Sequence, residues 1–273
     1  MSLVLSQMAV EVLQTADPRR KCALSIAHAA RWHAARAAEA MPDVGHATPP
    51  DFPARPARPV LLHPREVPRR RPGTPEGRIA LLHAVAHIEL NAVDLHWDII
   101  ARFADVEMPP GFYDDWVKAA EEESNHFNLM ADCLEHSGST YGDLPAHAGM
   151  WRAAEDTADD FMGRLAVVPM VLEARGLDVT PAMIEVFRKA GDTGAVAALE
   201  RIYAEEVGHV AYGSKWFHFL CGRHNLDPKE VFHQLVRRYF HGALKPPFNE
   251  EKRAEAGLPP DFYWPLTEVP QRH

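Results

Sequence analysis

The sequence predicts an all-α protein, and three observations support this. Alternation of apolar and polar residues with period two, which is typical of half-buried strands, is hard to find anywhere in the 273 residues. Apolar residues instead recur at helical spacing in four long segments. Several segments begin with a capping residue followed by proline, as at Thr74-Pro75. The length is ample for one domain, 1–273, with a sizeable core.

Two helices are expected before the long segments, within residues 1–40. The first covers residues 3–15, with Ser2 as its N-cap. The second begins at Asp17-Pro18 and continues through alanine-rich sequence to about residue 40.

A proline-rich segment, residues 41–75, comes next. It holds ten of the 23 prolines, which remove backbone donors and disfavour helix. We expect it to wrap around the outside of the domain, because long structureless connections in compact domains tend to be lids, clasps or disordered segments. A basic edge that faces a substrate is the alternative, based on Arg55, Arg58, Arg65, Arg69, Arg70 and Arg71.

Four long helices are expected in residues 76–224. They cover about 75–104, 110–137, 156–175 and 192–223. The third is expected to kink at Pro169 and to end at Gly176. Smaller helices are expected at 181–190 and 228–240, each opened by a proline, and the rest of the C-terminal region, 225–273, is expected to be irregular after 257.

Each long helix carries a glutamate in an otherwise apolar stretch. Glu89 and Glu173 stand alone, whereas Glu123 and Glu206 are each followed three residues later by a histidine, His126 and His209. Three residues of helix turn the chain by about 300°, so this spacing places a carboxylate and an imidazole on one face, within reach of one metal ion.

The order Glu, Glu-x-x-His, Glu, Glu-x-x-His is the ligand set of carboxylate-bridged di-iron and di-manganese four-helix bundles. Four carboxylates balance two divalent cations, whereas four buried carboxylates without a cation would be prohibitively unfavourable. Hard oxygen donors with two imidazoles suit Fe or Mn better than Zn or Cu. The sequence therefore predicts a metal site of Glu89, Glu123, His126, Glu173, Glu206 and His209.

Neighbouring residues leave alternatives open. Glu122 and Glu205 lie four residues before the two histidines and could replace Glu123 and Glu206 as ligands, although the Glu-x-x-His spacing favours the latter pair. Weaker candidates for a catalytic or supporting role are His96, Tyr203 and Tyr212, for which core packing is the simpler interpretation.

These residues resemble the ferritin-like superfamily. More closely, residues 10–260 resemble an uncharacterised bacterial family within it, a domain of unknown function, number four-five-five. The matching stretches are HSGSTYGDLPAH (136–147), LEARGLDVTP (172–181), Ala-Gly-Asp (190–192), EEVGHVAYGSKWF (205–217) and PFNEEKRAEAGL (247–258).

The resemblance implies a ferritin-like four-helix bundle with extra N-terminal helices, a Pro-rich wrapping loop, a C-terminal helix and a tail. It also implies two metal ions, with Glu123 and Glu206 bridging and Glu89 and Glu173 terminal, and with one nitrogen per ion from His126 and His209. A more distant resemblance is to a bacterial tRNA hydroxylase that oxidises an isopentenyl side chain on a modified adenosine.

The leading hypothesis is a non-haem di-iron oxidoreductase, an oxygen-dependent hydroxylase of a small-molecule or tRNA-borne substrate. Two Fe ions are the expected cofactor, with Mn or mixed Fe/Mn as alternatives. No flavin or nicotinamide fingerprint is found, so an external electron donor is expected. The alternatives are an iron-handling protein (a ferroxidase, peroxidase or storage protein) and a scaffold whose metal site is vestigial.

The overall charge, −9, disfavours a generic binder of nucleic acid or of anionic membranes, and it counts against a tRNA substrate. No apolar run approaches the roughly 18 residues of a membrane helix. Three widely spaced cysteines without a CxxC motif fit a reducing compartment. We therefore expect a cytoplasmic protein without membrane contact, and a possible homodimer.

Overall fold

The computed structural model describes residues 4–63, 65–68 and 70–268, which form helices and irregular segments with no β-strand. The prediction of an all-α fold is confirmed. The proposed cap Ser2 and Arg69 lie outside the described residues. The helices are α1 (Leu5–Leu13), α2 (Pro18–Ala37), α3 (Pro75–Arg102), α4 (Pro110–His136), α5 (Gly149–Asp156), α6 (Phe161–Val167), α7 (Ala174–Lys189), α8 (Thr193–His224), α9 (Pro228–Tyr239), α10 (Glu250–Glu255) and α11 (Pro260–Tyr263).

The chain divides into two compact units. The first contains the residues up to Trp151 together with Val186–Ala198, and the second contains Arg152–Glu185 and the residues from Leu199 on. The unit boundaries fall inside α5, α7 and α8. In the part of the chain that the structure describes, no helix combines the length and the apolar character needed to span a membrane.

The first unit is built from α1 to α4, and its long helices begin where the capping signals predict. The Asp17 side chain accepts a hydrogen bond from the amide of Arg20, and the Thr74 side chain accepts one from the amide of Gly77. Each satisfies an amide that a helix start leaves without a partner. Helices α3 and α4 pack along each other, and α1 and α2 cover them.

The proline-rich segment of the first unit contacts the helices through its backbone. The Ala54 amide donates to the Leu13 carbonyl at 2.7 Å, and Arg102 Nη2 donates to the Pro50 carbonyl at 3.0 Å. Further along, the Leu62 amide donates to the Ala146 carbonyl at 2.8 Å. The segment is irregular but anchored at several points, since prolines leave few of its own amides to form regular structure.

The second unit differs from the prediction in its first long element. The expected helix 156–175 is instead α6, capped by Asp160, followed by a π-helical segment, Val168–Glu173, that leads directly into α7. The disturbance expected at Pro169 is present as this π-helical segment, which begins one residue earlier. The predicted end at Gly176 is wrong, because α7 continues to Lys189.

Pro181 was expected to open a separate helix, yet it lies inside α7. A proline in a helix leaves the carbonyl four residues earlier without its donor. Here that carbonyl belongs to Leu177, and Asn249 Nδ2 donates to it at 3.2 Å. A side chain 72 residues away thus supplies the missing hydrogen bond, and the helix continues through the proline.

The C-terminal tail is also more ordered than predicted. Helix α11 follows Pro259, and a 3₁₀ turn, Trp264–Leu266, continues it. Phe262 and Tyr263 are buried, the former against Phe232 at 5.4 Å between ring centroids and the latter against Phe248 at 4.7 Å. These aromatic contacts hold a segment whose local sequence favours no regular structure.

Candidate metal centre

Three of the six predicted ligands come together inside the first unit. Glu89 lies in the middle of α3, and Glu123 and His126 lie three residues apart on α4. All three are buried. One potential ligand atom from each lies within 4.8 Å of the others. The spacing of three residues therefore places Glu123 and His126 together on α4, as predicted. The packing of α3 against α4 adds Glu89.

The imidazole of His126 faces both carboxylates. Its Nδ1 atom lies 3.3 Å from Glu89 Oε2 and 3.3 Å from Glu123 Oε2. Two donors held at about 2.1 Å by one cation lie about 3 Å apart at right angles, so this spacing is that of donors around a shared ion.

Glu89 is in an unfavourable environment for a carboxylate. Burial raises its pKa well above the ordinary value, and the negative charge of Glu123 raises it further, while His126 acts in the opposite direction. Glu89 Oε2 lies 3.3 Å from His126 Nδ1 but accepts no well-formed hydrogen bond from a described residue. A cation would satisfy this oxygen and remove the charge repulsion.

His96 lies beside this cluster on α3, where it is fully buried. Its Nε2 atom is 3.6 Å from Glu123 Oε1, and its ring contacts that of Trp116 at 5.2 Å between centroids. The sequence placed His96 two turns from Glu89 on the same helix face. The structure puts it against the other carboxylate of the cluster, where it can orient Glu123 or add a nitrogen ligand.

The second unit holds the other three predicted ligands. Glu206 and His209 lie on α8, both buried, with His209 Nδ1 3.7 Å from Glu206 Oε1. This repeats the arrangement on α4, in which the histidine turns Nδ1 toward the carboxylate three residues earlier. Glu173, also buried, is the last residue of the π-helical segment.

A close approach of the Pro169 ring to α8 supports the position of this π-helical segment. A Cβ atom added to Gly213 on α8 would lie 2.4 Å from Pro169 Cγ, which is far inside van der Waals contact. Only glycine at 213 therefore lets α8 pack this near the residues that lead to Glu173. Single π turns of this kind occur frequently at functional sites.

The neighbouring acids all contact side chains outside the proposed ligand set. Glu121 lies 3.2 Å from His33, Glu122 lies 3.6 Å from Lys118, and Glu205 lies 3.1 Å from Arg201. These acids are partly exposed, unlike Glu123 and Glu206. The contrast in burial favours Glu123 and Glu206 as ligands over the alternatives one residue earlier.

The two tyrosine candidates lie in different surroundings. The Tyr203 hydroxyl accepts a hydrogen bond from Asn249 Nδ2 at 2.6 Å, so it is engaged with the segment before α10. The Tyr212 ring lies 6.4 Å from the His209 ring between centroids. Of the two, only Tyr212 contacts a predicted ligand.

Sequence reasoning missed a second polar cluster in the first unit. Lys21, almost fully buried, forms an ion pair with buried Asp94 and donates to the Ala54 carbonyl at 3.2 Å. They line a cavity of about 110 Å³, which Arg55 and Tyr141 also reach. No spacing rule could have found this pair, because its members are 73 residues apart on different helices.

The chain belongs to the family described as "Protein of unknown function (DUF455)", whose model matches residues 14–264. A protein from Haemophilus influenzae, described as uncharacterized, is 43% identical over 210 residues, which are 75% of this chain and 73% of that protein. No solved structure matches the chain significantly. The family resemblance inferred from the sequence is confirmed, and the ferritin-like superfamily stays a prediction.

Proposed function

We propose that this protein binds two divalent metal ions and, with iron bound, is an oxygen-dependent oxidoreductase that hydroxylates an organic substrate. The ligands are the six buried side chains already described: Glu89, Glu123, His126, Glu173, Glu206 and His209. Each compact unit contributes two carboxylates and one imidazole to this set.

The observation that carries the proposal is the shared arrangement of the two Glu-x-x-His pairs. In each pair both side chains are buried, and Nδ1 of the histidine faces the carboxylate, at 3.3 Å for His126 and 3.7 Å for His209. A structural histidine on a solvated helix face has no reason to adopt this arrangement twice. Two cation sites explain both occurrences.

Charge supports the same proposal. Ionised carboxylates are rarely buried unless they are paired or bind a metal. Burial and the neighbouring charge of Glu123 raise the pKa of Glu89, which reflects this penalty. Four carboxylates and two neutral imidazoles would balance two divalent ions, and oxygen-rich donors with imidazole suit Fe or Mn.

Bound iron would supply redox chemistry with dioxygen, which no side chain of this protein can supply. The protein's own residues would hold the ions and exclude bulk water, since all six ligand side chains are buried. His96 would orient Glu123 through the 3.6 Å contact. Electrons would come from an external donor.

Neighbouring glutamates provide the matched test. We expect Glu123→Gln to lose at least half of the iron retained after anaerobic Fe(II) loading and desalting, because it removes a buried charged ligand. Glu122→Gln changes the same functional group one residue earlier, at a position paired with Lys118, and should retain the wild-type iron content. The pair Glu206→Gln and Glu205→Gln should behave in the same way.

Metal content and oxygen uptake would be measured on all four variants, with circular dichroism to establish that each is folded. Equal iron loss in Glu122→Gln and Glu123→Gln would contradict the ligand assignment. If the protein loads iron fully but takes up no oxygen in the presence of a chemical reductant, metal binding is supported and the proposed oxidoreductase activity is refuted.

A further inference from the structure

A cavity of about 310 Å³ lies in the second unit, and its lining includes none of the proposed ligands. It is bounded by the loop after α9 and by one side of the segment where the π-helix meets α7. Its walls are apolar side chains and a group of cationic ones. The apolar walls are Val171, Leu172, Phe240, Leu244 and Phe248.

Cationic side chains outnumber carboxylates around this cavity. Arg175, Lys245 and Arg253 line the cavity. Among the described residues, Asp178 is the carboxylate that contacts the two arginines: it accepts from Arg253 Nε at 2.8 Å and from Arg253 Nη2 at 2.7 Å, and it lies 3.4 Å from Arg175 Nη1. Three positive charges face one negative charge, so the cavity favours an anion.

Arg253 leaves one donor unused. The side chain is almost completely buried, and among the described residues its Nη1 atom has no hydrogen-bond partner. Its guanidinium carbon lies 4.9 Å from the ring centroid of Phe248 and 4.7 Å from that of Tyr263. A buried guanidinium N–H without an acceptor is costly, and an anionic oxygen in the cavity would satisfy it.

Arg175 holds the opposite wall in place. Its Nη1 atom donates to the carbonyl oxygens of Lys245 at 2.7 Å and Pro247 at 3.1 Å. These bonds attach the loop that carries Lys245 and Phe248 to α7. The cationic and apolar walls are thus built by fixed contacts between elements.

We propose that this cavity binds an organic anion, with its carboxylate or phosphate group on Arg253 and Lys245 and its apolar body against Phe240, Leu244 and Phe248. The volume is at the lower end for small-molecule sites, and a mostly apolar lining with a few polar groups is typical of them. None of the six proposed metal ligands lines the cavity. The inference is therefore independent of the proposed metal site.

Isothermal titration calorimetry on the full chain tests the proposal, with probes that share a phenyl body. The probes are phenylacetate, phenyl phosphate, the neutral 2-phenylethanol, and inorganic phosphate without the body. We expect one-to-one binding of at least one phenyl anion, tenfold or more tighter than either the neutral probe or inorganic phosphate. The tighter of phenylacetate and phenyl phosphate identifies the preferred anionic group.

The variant Lys245→Gln tests whether binding occurs at this cavity. Because Lys245 is exposed, removing its charge should not disturb folding. It should weaken binding of the phenyl anion by about fivefold or more. Lys229→Gln removes the same charge from an exposed lysine of the second unit that does not line the cavity, and it should leave affinity unchanged. Arg253→Lys is less informative, because it breaks a buried ion pair.

Metal-loaded and metal-free protein should bind the anion with equal affinity. Equal weakening by Lys245→Gln and Lys229→Gln would overturn the proposal, since it would indicate nonspecific attraction. Binding of 2-phenylethanol as tight as that of the anions would overturn it as well.

Discussion

At the scale of single residues, burial favours the neutral form of two histidines on α3, His83 and His87. His83 is buried, and its Nε2 atom accepts a hydrogen bond from the Gly142 amide at 2.9 Å. An acceptor nitrogen must be unprotonated, and burial disfavours the charged form. The acceptor role of Nε2 and the burial of the ring both favour the neutral form of His83. Burial lowers its pKa to about 4.

The stability of the protein should therefore depend on the protonation of His83. Its pKa when folded is below the ordinary 6.5, so between about pH 6.5 and 4 the unfolded chain binds more protons than the folded one. The contribution is fully present above this window and declines as the pH falls through it. We expect His83→Gln, which keeps an acceptor but does not titrate, to remove this decline.

Urea denaturation at pH 7 and pH 5 measures the effect. After allowance for partial solvent screening, the wild type should lose about 1 kcal/mol more than His83→Gln between these two pH values. Equal losses in the two proteins would show that His83 is protonated as easily in the folded state as in the unfolded one.

At the scale of elements, the second unit depends on close packing at the π-helical segment. Gly213 lies against Pro169 with no room for a Cβ atom, so Gly213→Ala must displace the backbone that leads to Glu173. We expect it to lower the free energy of unfolding by about 1–3 kcal/mol and to reduce iron retention.

The control lies on the same helix. Gly222 has no neighbouring atom within 4 Å of an added Cβ, so Gly222→Ala should retain iron and gain up to about 1 kcal/mol from helix propensity. Urea denaturation and metal analysis of the two variants measure both effects. If Gly213→Ala is destabilised but retains iron normally, the packing at Gly213 does not support metal binding at the proposed site.

Element boundaries show which parts of the fold local sequence determines. The helix starts at Asp17-Pro18, Thr74-Pro75 and Asp227-Pro228 are present as predicted, because a cap and its amide partner lie within one turn. The end predicted at Gly176 failed. Continuation through Pro181 depends on Asn249, and no local pattern contains that information.

At the scale of the whole molecule, local sequence likewise identifies some clusters of side chains, whereas others depend on packing between distant residues. The Glu-x-x-His pairs were visible in the sequence because their geometry depends on three residues of helix. The buried pairs Lys21–Asp94 and Arg253–Asp178 join residues 73 and 75 positions apart, so only packing reveals them.

Metal stoichiometry tests the central claim most directly. The wild-type chain would be loaded anaerobically with excess Fe(II), desalted, and analysed for iron and zinc per chain, before and after exposure to oxygen. We predict about two irons per chain and rapid oxygen uptake with a reductant present. A chain that retains no iron, or that holds zinc and consumes no oxygen, would contradict this prediction.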